Sequence, residues 1–400
     1  MLDNLYGYHL EVMAHTPLVF KRYLYKQLSW ESQALCIIGD RGVGKSTLIC
    51  QRLIEHYQKL PRALYISADN INVLANGLLN TAKTFFAQGG EALFIDEVHK
   101  YPDWSIELKN IIDIYKNRKI IFTGSSSLEL AKSKADLSRR VSYKRLVGLS
   151  FREYLQFFLK SELPIFTLDE ILLNHTEIVS ELKLEAVLKH FQDYLCCGYY
   201  PFFLEGLGDY LEKINNMIEK VIYEDLSVIY QLKGASLVAL KKIIWLIATA
   251  GIFIPNIDNM SKELRLSRDF VYDALEYLGR SGIISNIYPS GVGMKLIRKP
   301  GRIYLNNSNT YSAINGEMKL KADVGVVREI FFANQLGSFH KINTGDVGDF
   351  LIDDRYVVEI GGAGKTKKQI KQHSEAYLAL DGIEIGAGNR IPLYLFGFLY

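Results

Sequence analysis

The stretch Gly39-Asp40-Arg41-Gly42-Val43-Gly44-Lys45-Ser46 (GDRGVGKS) decides the reading of this chain. It has the full spacing G-x-x-x-x-G-K-[ST]. An apolar run, Ala34–Ile38 (ALCII), stands before it, and a helical pattern, STLICQRLIEHY, begins at Ser46. Strand, glycine loop and helix in that order make a phosphate-binding loop. Glycines let backbone N–H groups turn inward around phosphate oxygens. The helix start adds its positive end. Lys45 reaches the β- and γ-phosphates, and Ser46 offers a hydroxyl to Mg²⁺. The expected nucleotide-binding residues run from Gly39 through Lys45 and Ser46 to Thr47.

Around this loop, short apolar runs alternate with amphipathic stretches. The runs are Ala34–Ile38, Arg62–Ser67, Ala92–Asp96, Lys119–Thr123 and Tyr143–Val147. The clearest helix between them is Ser105–Lys116 (SIELKNIIDIYK). Strands alternating with helices predict a parallel sheet covered on both faces, in an α/β domain over 1–148. The run at Ala92 ends in Asp96 and Glu97 (ALFIDE). After a phosphate-binding loop, Asp96 is read as a Mg²⁺ ligand through water. Glu97 is read as the group that polarises the attacking water. Thr123-Gly-Ser-Ser126 closes the KIIFT run. Hydroxyls of Thr123 and Ser125 would orient water or touch the γ-phosphate; the alternative is an N-cap for the following SLELAK. Arg139 and Arg140 (DLSRRV) are either a surface charge pair or the source of an arginine finger. A finger on Arg140 would reach a neighbouring copy, which implies a homo-oligomer.

Composition limits the other classes. The 400 residues are 48% hydrophobic and 23% charged, which excludes a disordered or fibrous chain. The net charge is only +3, so contact with nucleic acid must rest on local charge. Cys36, Cys50, Cys196 and Cys197 form no CxxC pair. A structural zinc site is not expected, and so few thiols suit a reducing compartment. The longest apolar run, 243–255, is shorter than the ~20 residues of a membrane helix. The N-terminus has early acids and no long apolar core, unlike a signal peptide. A cytoplasmic protein without membrane contact is expected. His99, alone after Asp96 and Glu97, reads as loop structure. Cys196 and Cys197 read as two half-buried thiols, and the aromatics of FREYLQFF as core.

These motifs resemble the AAA superfamily of ATPases, and more closely a prokaryotic AAA-type group. The phrases that carry the resemblance are GDRGVGKST, ALFIDEVHKYPDW, IIFTGSSSLEL, DLSRRVSYKRLVGLSFREYL and GDFLIDDRYVVEIGG. It implies a sheet of order 5-1-4-3-2, ATP with Mg²⁺, and the roles given above for Asp96 and Glu97. It also implies a winged helix and a C-terminal nuclease-like α/β domain.

The pattern of the remaining chain is compatible with that. From Leu149 to about residue 235 the spacing is helical, read as a lid or linker over 149–235. Residues 236–304 read as three helices and a hairpin, the winged helix. They hold ten Lys or Arg against five Asp or Glu. Lys295, Arg298, Lys299 and Arg302 on the hairpin would suit a DNA backbone, with the helix after Ser267 in the major groove. Asp269, Asp273 and Glu276 on that helix count against DNA. The alternative is a winged helix used for packing or for coupling to the ATPase.

Residues 305–400 read as mixed α/β. A PD-(D/E)xK nuclease needs an Asp, then an acid and a Lys two apart. A turn at 353–355 would set Asp349 opposite Glu359 on one face. Glu329 would add a third carboxylate. Gly361 stands where the lysine is due, and Lys365 would have to reach back across GGAGK. A vestigial site of Glu329, Asp349, Glu359 and Lys365 is therefore the expectation, without cleavage for want of that lysine. The basic run KTKKQIKQH would bind phosphate or face solvent. The sequence thus predicts a Mg²⁺-dependent ATPase that drives domain movement. Two alternatives are a DNA-binding regulator with ATP as a slow switch and an ATP-gated nuclease.

Overall fold

Five apolar runs in the first 147 residues form one parallel sheet. In the computed structural model they are β1 (Ala34–Gly39), β2 (Ala63–Ser67), β3 (Ala92–Asp96), β4 (Lys119–Ser125) and β5 (Ser142–Arg145). The order is β2-β3-β4-β1-β5, the order implied by the resemblance. The structure describes residues 2–57, 61–125, 137–291, 299–366, 370 and 373–400. Ser126, the SLELAK segment, Lys295, Arg298 and most of KTKKQIKQH lie outside the described residues.

Every residue of β1 and β3 is buried, as expected for a parallel sheet with both faces covered. Helices Lys45–Tyr57, Leu78–Ala87 and Trp104–Ile114 contribute to this unit. Apolar positions of the latter two join strand residues in one core, with Phe85, Leu108 and Ile111 fully buried. Sequence spacing had not singled out the helix Leu2–Ala14. It packs along β2, the edge strand, where His9 Nδ1 accepts the Tyr65 amide N–H at 3.0 Å.

The chain divides into two compact units, Met1–Val147 and Gly148–Tyr400. The second begins with helices Phe151–Leu159, Leu168–Leu182, Val187–Cys197 and Tyr210–Lys220. The first two start with capping boxes, Ser150 with Glu153 and Thr167 with Glu170. Each box pairs a hydroxyl and a carboxylate with two otherwise unmet amides. Helices Ala235–Thr249, Ile257–Leu264 and Arg268–Arg280 follow, then an antiparallel pair, β6 (Ile284–Pro289) and β7 (Arg302–Leu305).

Helices Ser308–Glu317 and Val324–Gly337 precede β8 (Ile342–Thr344), β9 (Phe350–Ile352), β10 (Tyr356–Gly362), β11 (Ala376–Asp381) and β12 (Arg390–Pro392). The sheet order is β12-β11-β10-β9-β8-β6-β7. Because β6 pairs with both β7 and β8, one sheet runs continuously across residue 304. Among the described residues no helix is long and apolar enough to cross a membrane.

Candidate functional site

The phosphate loop leaves β1 at Gly39 and enters its helix at Lys45. Gly42 (φ 77°) and Gly44 (φ 93°) adopt left-handed backbone, which costs a glycine least. Gly39 is needed for space, since a Cβ there would lie 2.1 Å from the Leu146 carbonyl oxygen. The Lys45 ammonium donates to the carbonyls of Gly39 (2.9 Å) and Asp40 (2.7 Å). Burial holds its pKa below the ordinary lysine value, and the charges of Asp96, Asp40 and Glu97 oppose that shift. Ser46 and Thr47 border a cavity of about 540 Å³. Tyr8, Glu11, His15 and Thr16 line its N-terminal side.

Asp96 ends β3 and is 6% exposed. Tyr65 donates to its Oδ2 at 2.8 Å, and Thr123 donates to its Oδ1. The Glu97 amide donates to Thr123 Oγ1 at 2.9 Å and to Asp96 Oδ1 at 3.2 Å. Glu97 itself has left-handed backbone (φ 49°), unusual for a residue with a side chain. Its carboxylate pairs with Lys100, which also holds Asp69 at 2.8 Å. Thr123 is thus a structural bridge between β4 and the two acids. Ser125 differs. It lies opposite Gly39 in the sheet register, and its buried hydroxyl has no hydrogen-bond partner among the described residues. Its amide donates to His99 Nδ1 at 3.4 Å, which ties His99 to the β4 terminus as loop structure.

Arg140 grips Asp113 of its own chain through Nε (2.7 Å) and Nη2 (3.2 Å). This pair lowers the Asp113 pKa. Arg139 is exposed. Arg22 and Tyr65 were missed by sequence reading. Arg22 is 4% exposed. Its Nη1 donates to the Val43 carbonyl of the phosphate loop and its Nη2 to the Val147 carbonyl at 2.7 Å. No motif marks a lone arginine in FKRYLY. Tyr65 reads as one more apolar strand residue.

Residues 31–155 match the AAA domain family. Over its full length the chain is 27% identical to an uncharacterised protein of Methanocaldococcus jannaschii, covering 94% of that protein. Among solved structures, DnaA of Aquifex aeolicus bound to AMPPCP aligns with 67% of this chain and 86% of its own, at 14% identity and TM-score 0.29. The ADP complex of S. cerevisiae Hsp104 aligns with 68% of this chain and 39% of its own, at 18% identity and TM-score 0.30. The AAA match spans all five strands of the first sheet, and it includes the phosphate loop, Asp96, Glu97 and Arg140.

The second unit gathers the four residues that sequence reading had grouped. The β9–β10 register ends at Phe350 with Val358, and the Asp349 amide donates to the Val358 carbonyl at 3.0 Å at the end of that ladder. Asp349 Oδ2 accepts the Ile360 amide at 2.8 Å. Lys365 reaches Glu359 at 2.6 Å. Its stem fills the space above Gly361, where a Cβ would lie 2.7 Å from Lys365 Cβ. Arg390 fixes that loop by donating to the carbonyls of Ala363 (2.7 Å) and Lys365 (3.2 Å).

Arg302 departs from expectation. It was read as an outward cation for a DNA backbone, but it turns inward to Glu329 and Asp349, each at 3.2 Å. Tyr304 also donates to Glu329. Burial, then the Asp349 charge, pushes the Glu329 pKa up to about 7. Among the described residues, Arg302 and the part-exposed Lys365 pair with these three carboxylates. Among the described residues, no group of three His, Cys, Asp or Glu is arranged to hold a metal. All four cysteines are free thiols, Cys36 and Cys50 buried, Cys196 exposed and Cys197 half-buried.

Proposed function

We propose that residues 1–147 bind ATP and hydrolyse it with Mg²⁺, and that nucleotide state acts on the second unit. The observation that carries this reading is the assembly of buried Lys45, Asp96 and Thr123 with half-buried Glu97 at one end of a parallel sheet. Backbone amides from Arg41 to Thr47 would receive the phosphates, with Lys45 as counter-charge. ATP rather than GTP rests on the AAA resemblance, because the loop reads phosphate.

The donor set fits Mg²⁺. Asp96 brings a buried carboxylate held by hydroxyls, with no ion pair among the described residues. Ser46 brings a hydroxyl at the helix start, and both are the hard oxygen donors this ion takes. Ser46 and Asp96 would hold Mg²⁺, which when bound neutralises charge between the β- and γ-phosphates. Glu97 would take a proton from the attacking water, the task for which its fixed backbone and position after Asp96 suit it. Ser125, with its unmet hydroxyl, is the better candidate to contact the γ-phosphate. Thr123 would position Asp96 and Glu97.

The test is ATP turnover per protomer against protein concentration, with and without duplex DNA. Glu97→Gln is the control. Turnover that vanishes in the control supports the reading. Turnover unchanged in the control sinks it. Rate rising with concentration would add a homo-oligomer and a finger from Arg140.

A DNA role has weaker support. The helix Arg268–Arg280 is capped by Ser267 and followed by the β6–β7 pair, an order that would suit a winged helix. Yet Arg268 pairs with Asp258, Arg280 with Glu276, and Arg302 with interior acids. A mobility shift that finds no salt-sensitive binding to duplex DNA would remove this role. The Glu329, Asp349, Glu359 and Lys365 group is read as an ion-paired core without cleavage activity.

A further inference from the structure

The phosphate loop is joined to the segment on which the chain leaves the first unit by a series of separate contacts. Leu146 donates its amide to the Ile38 carbonyl at 2.8 Å. The Leu146 carbonyl lies where Gly39 has no side chain. Arg145 pairs with Asp40 at 3.6 Å. Tyr23 donates to the Arg145 carbonyl at 3.3 Å. Arg22, next to Tyr23, spans the carbonyls of Val43 and Val147 with one guanidinium. Val147 is the last residue of the first unit.

A planar guanidinium is well suited to this. Its donors have a fixed fork geometry, so moving one carbonyl carries the other or breaks a bond. At 4% exposure, water does not readily replace a lost partner. The same loop contains a group with two alternative partners. Lys45 donates to the carbonyls of Gly39 and Asp40, and a phosphate oxygen would compete for that ammonium. Gly39 and Asp40 are the residues that touch Leu146 and Arg145. Taking Lys45 from their carbonyls changes the backbone on which the exit segment rests. A ligand shifts such an element only by its differential affinity for the two arrangements, and a phosphate supplies that difference here.

We propose that Arg145–Val147 is the output of the phosphate loop, and that Arg22 is the positioning residue coupling the two. Arg22 acts through the backbone carbonyls of Val43 and Val147, which makes it a positioning residue. The inference rests on the nucleotide reading given above and adds the route by which the site acts on the rest of the chain.

The test uses the full chain and two variants, Arg22→Met and Arg22→Lys. Methionine keeps the apolar stem and removes every donor. Lysine keeps the charge but cannot present a rigid fork to two carbonyls. Binding of a fluorescent ATP analogue with Mg²⁺ is titrated first. Amide hydrogen exchange over residues 142–149 is then followed with and without the analogue. In the parent, nucleotide is expected to change exchange there by roughly tenfold. In Arg22→Met, binding should stay within about threefold of the parent while that change disappears. A purely structural arginine would instead raise exchange equally in both conditions.

The inference fails if Arg22→Met retains the parent's nucleotide-dependent change. It fails equally if the parent binds nucleotide and shows none. Absence of nucleotide binding by the parent would instead overturn the site reading itself, taking this inference with it. If Arg22→Met does not fold, Arg22→Lys is judged by the same comparison.

Discussion

Thr123 donates its hydroxyl hydrogen to the Asp96 carboxylate in the interior of the parallel sheet. The same oxygen accepts the Glu97 amide, so one threonine orders both acids. Thr123→Val keeps the shape and removes both bonds. It should cost about 1–3 kcal/mol of stability, because buried groups lose partners. Turnover should fall while nucleotide affinity changes little. Ser125→Ala should show the opposite balance, with Tm nearly unchanged and turnover reduced. Thermal melts and steady-state kinetics on both variants separate the roles.

Glu97→Gln keeps the size and removes the base. Turnover should drop by about 10²–10⁴ with binding retained. Lys45→Met should abolish binding itself, since Lys45 is the counter-charge at the loop and its ammonium meets the Gly39 and Asp40 carbonyls. Filter binding with labelled ATP and a phosphate-release assay distinguish the two failures.

The Arg140–Asp113 pair is part-exposed and of the kind that contributes little to stability. Arg140→Ala should therefore leave Tm within about 1 °C, since an exposed pair is worth so little. If Arg140 serves a neighbour, its loss should cut turnover by about 10³–10⁵. Asp113→Asn, which removes this ion pair, should then hold or raise the rate. Equal rates for all three proteins would exclude the finger.

Glu329 has a folded pKa raised to about 7 by burial and by Asp349. The folded state therefore binds more protons than the unfolded one between pH ~4.5 and ~7. Stability from this group is full below pH ~4.5 and is lost as pH rises through about 7. A shift of this size corresponds to roughly 3 kcal/mol. Glu329→Gln should flatten that fall in Tm across this window. A variant with the parent's pH profile would contradict the assignment.

The nucleotide loop was legible because its chemistry is local. Eight consecutive residues carry the glycines, the lysine and the hydroxyl. The β9–β10 hairpin that carries Asp349 and Glu359 was legible because a short turn joins its two strands. The empty side of Gly361 made room for Lys365, which spacing alone permitted but did not require. Arg302 was misread because its partner Glu329 is 27 residues away and sits on a helix. Charge on a hairpin says nothing of which way a side chain turns. Arg22 was invisible for a similar reason, since its acceptors are backbone carbonyls and every residue type has those.

The helix Leu2–Ala14 has a consequence for solubility. An edge strand presents unpaired N–H and C=O groups that can recruit a strand from another molecule. His9 occupies one such amide of β2, and burial lowers its pKa to about 4, so the ring stays an uncharged acceptor above that pH. A shortened chain beginning at residue 15 would bare this ladder along a strand that is otherwise apolar. It should assemble into β-rich aggregates, while the longer chain stays dispersed.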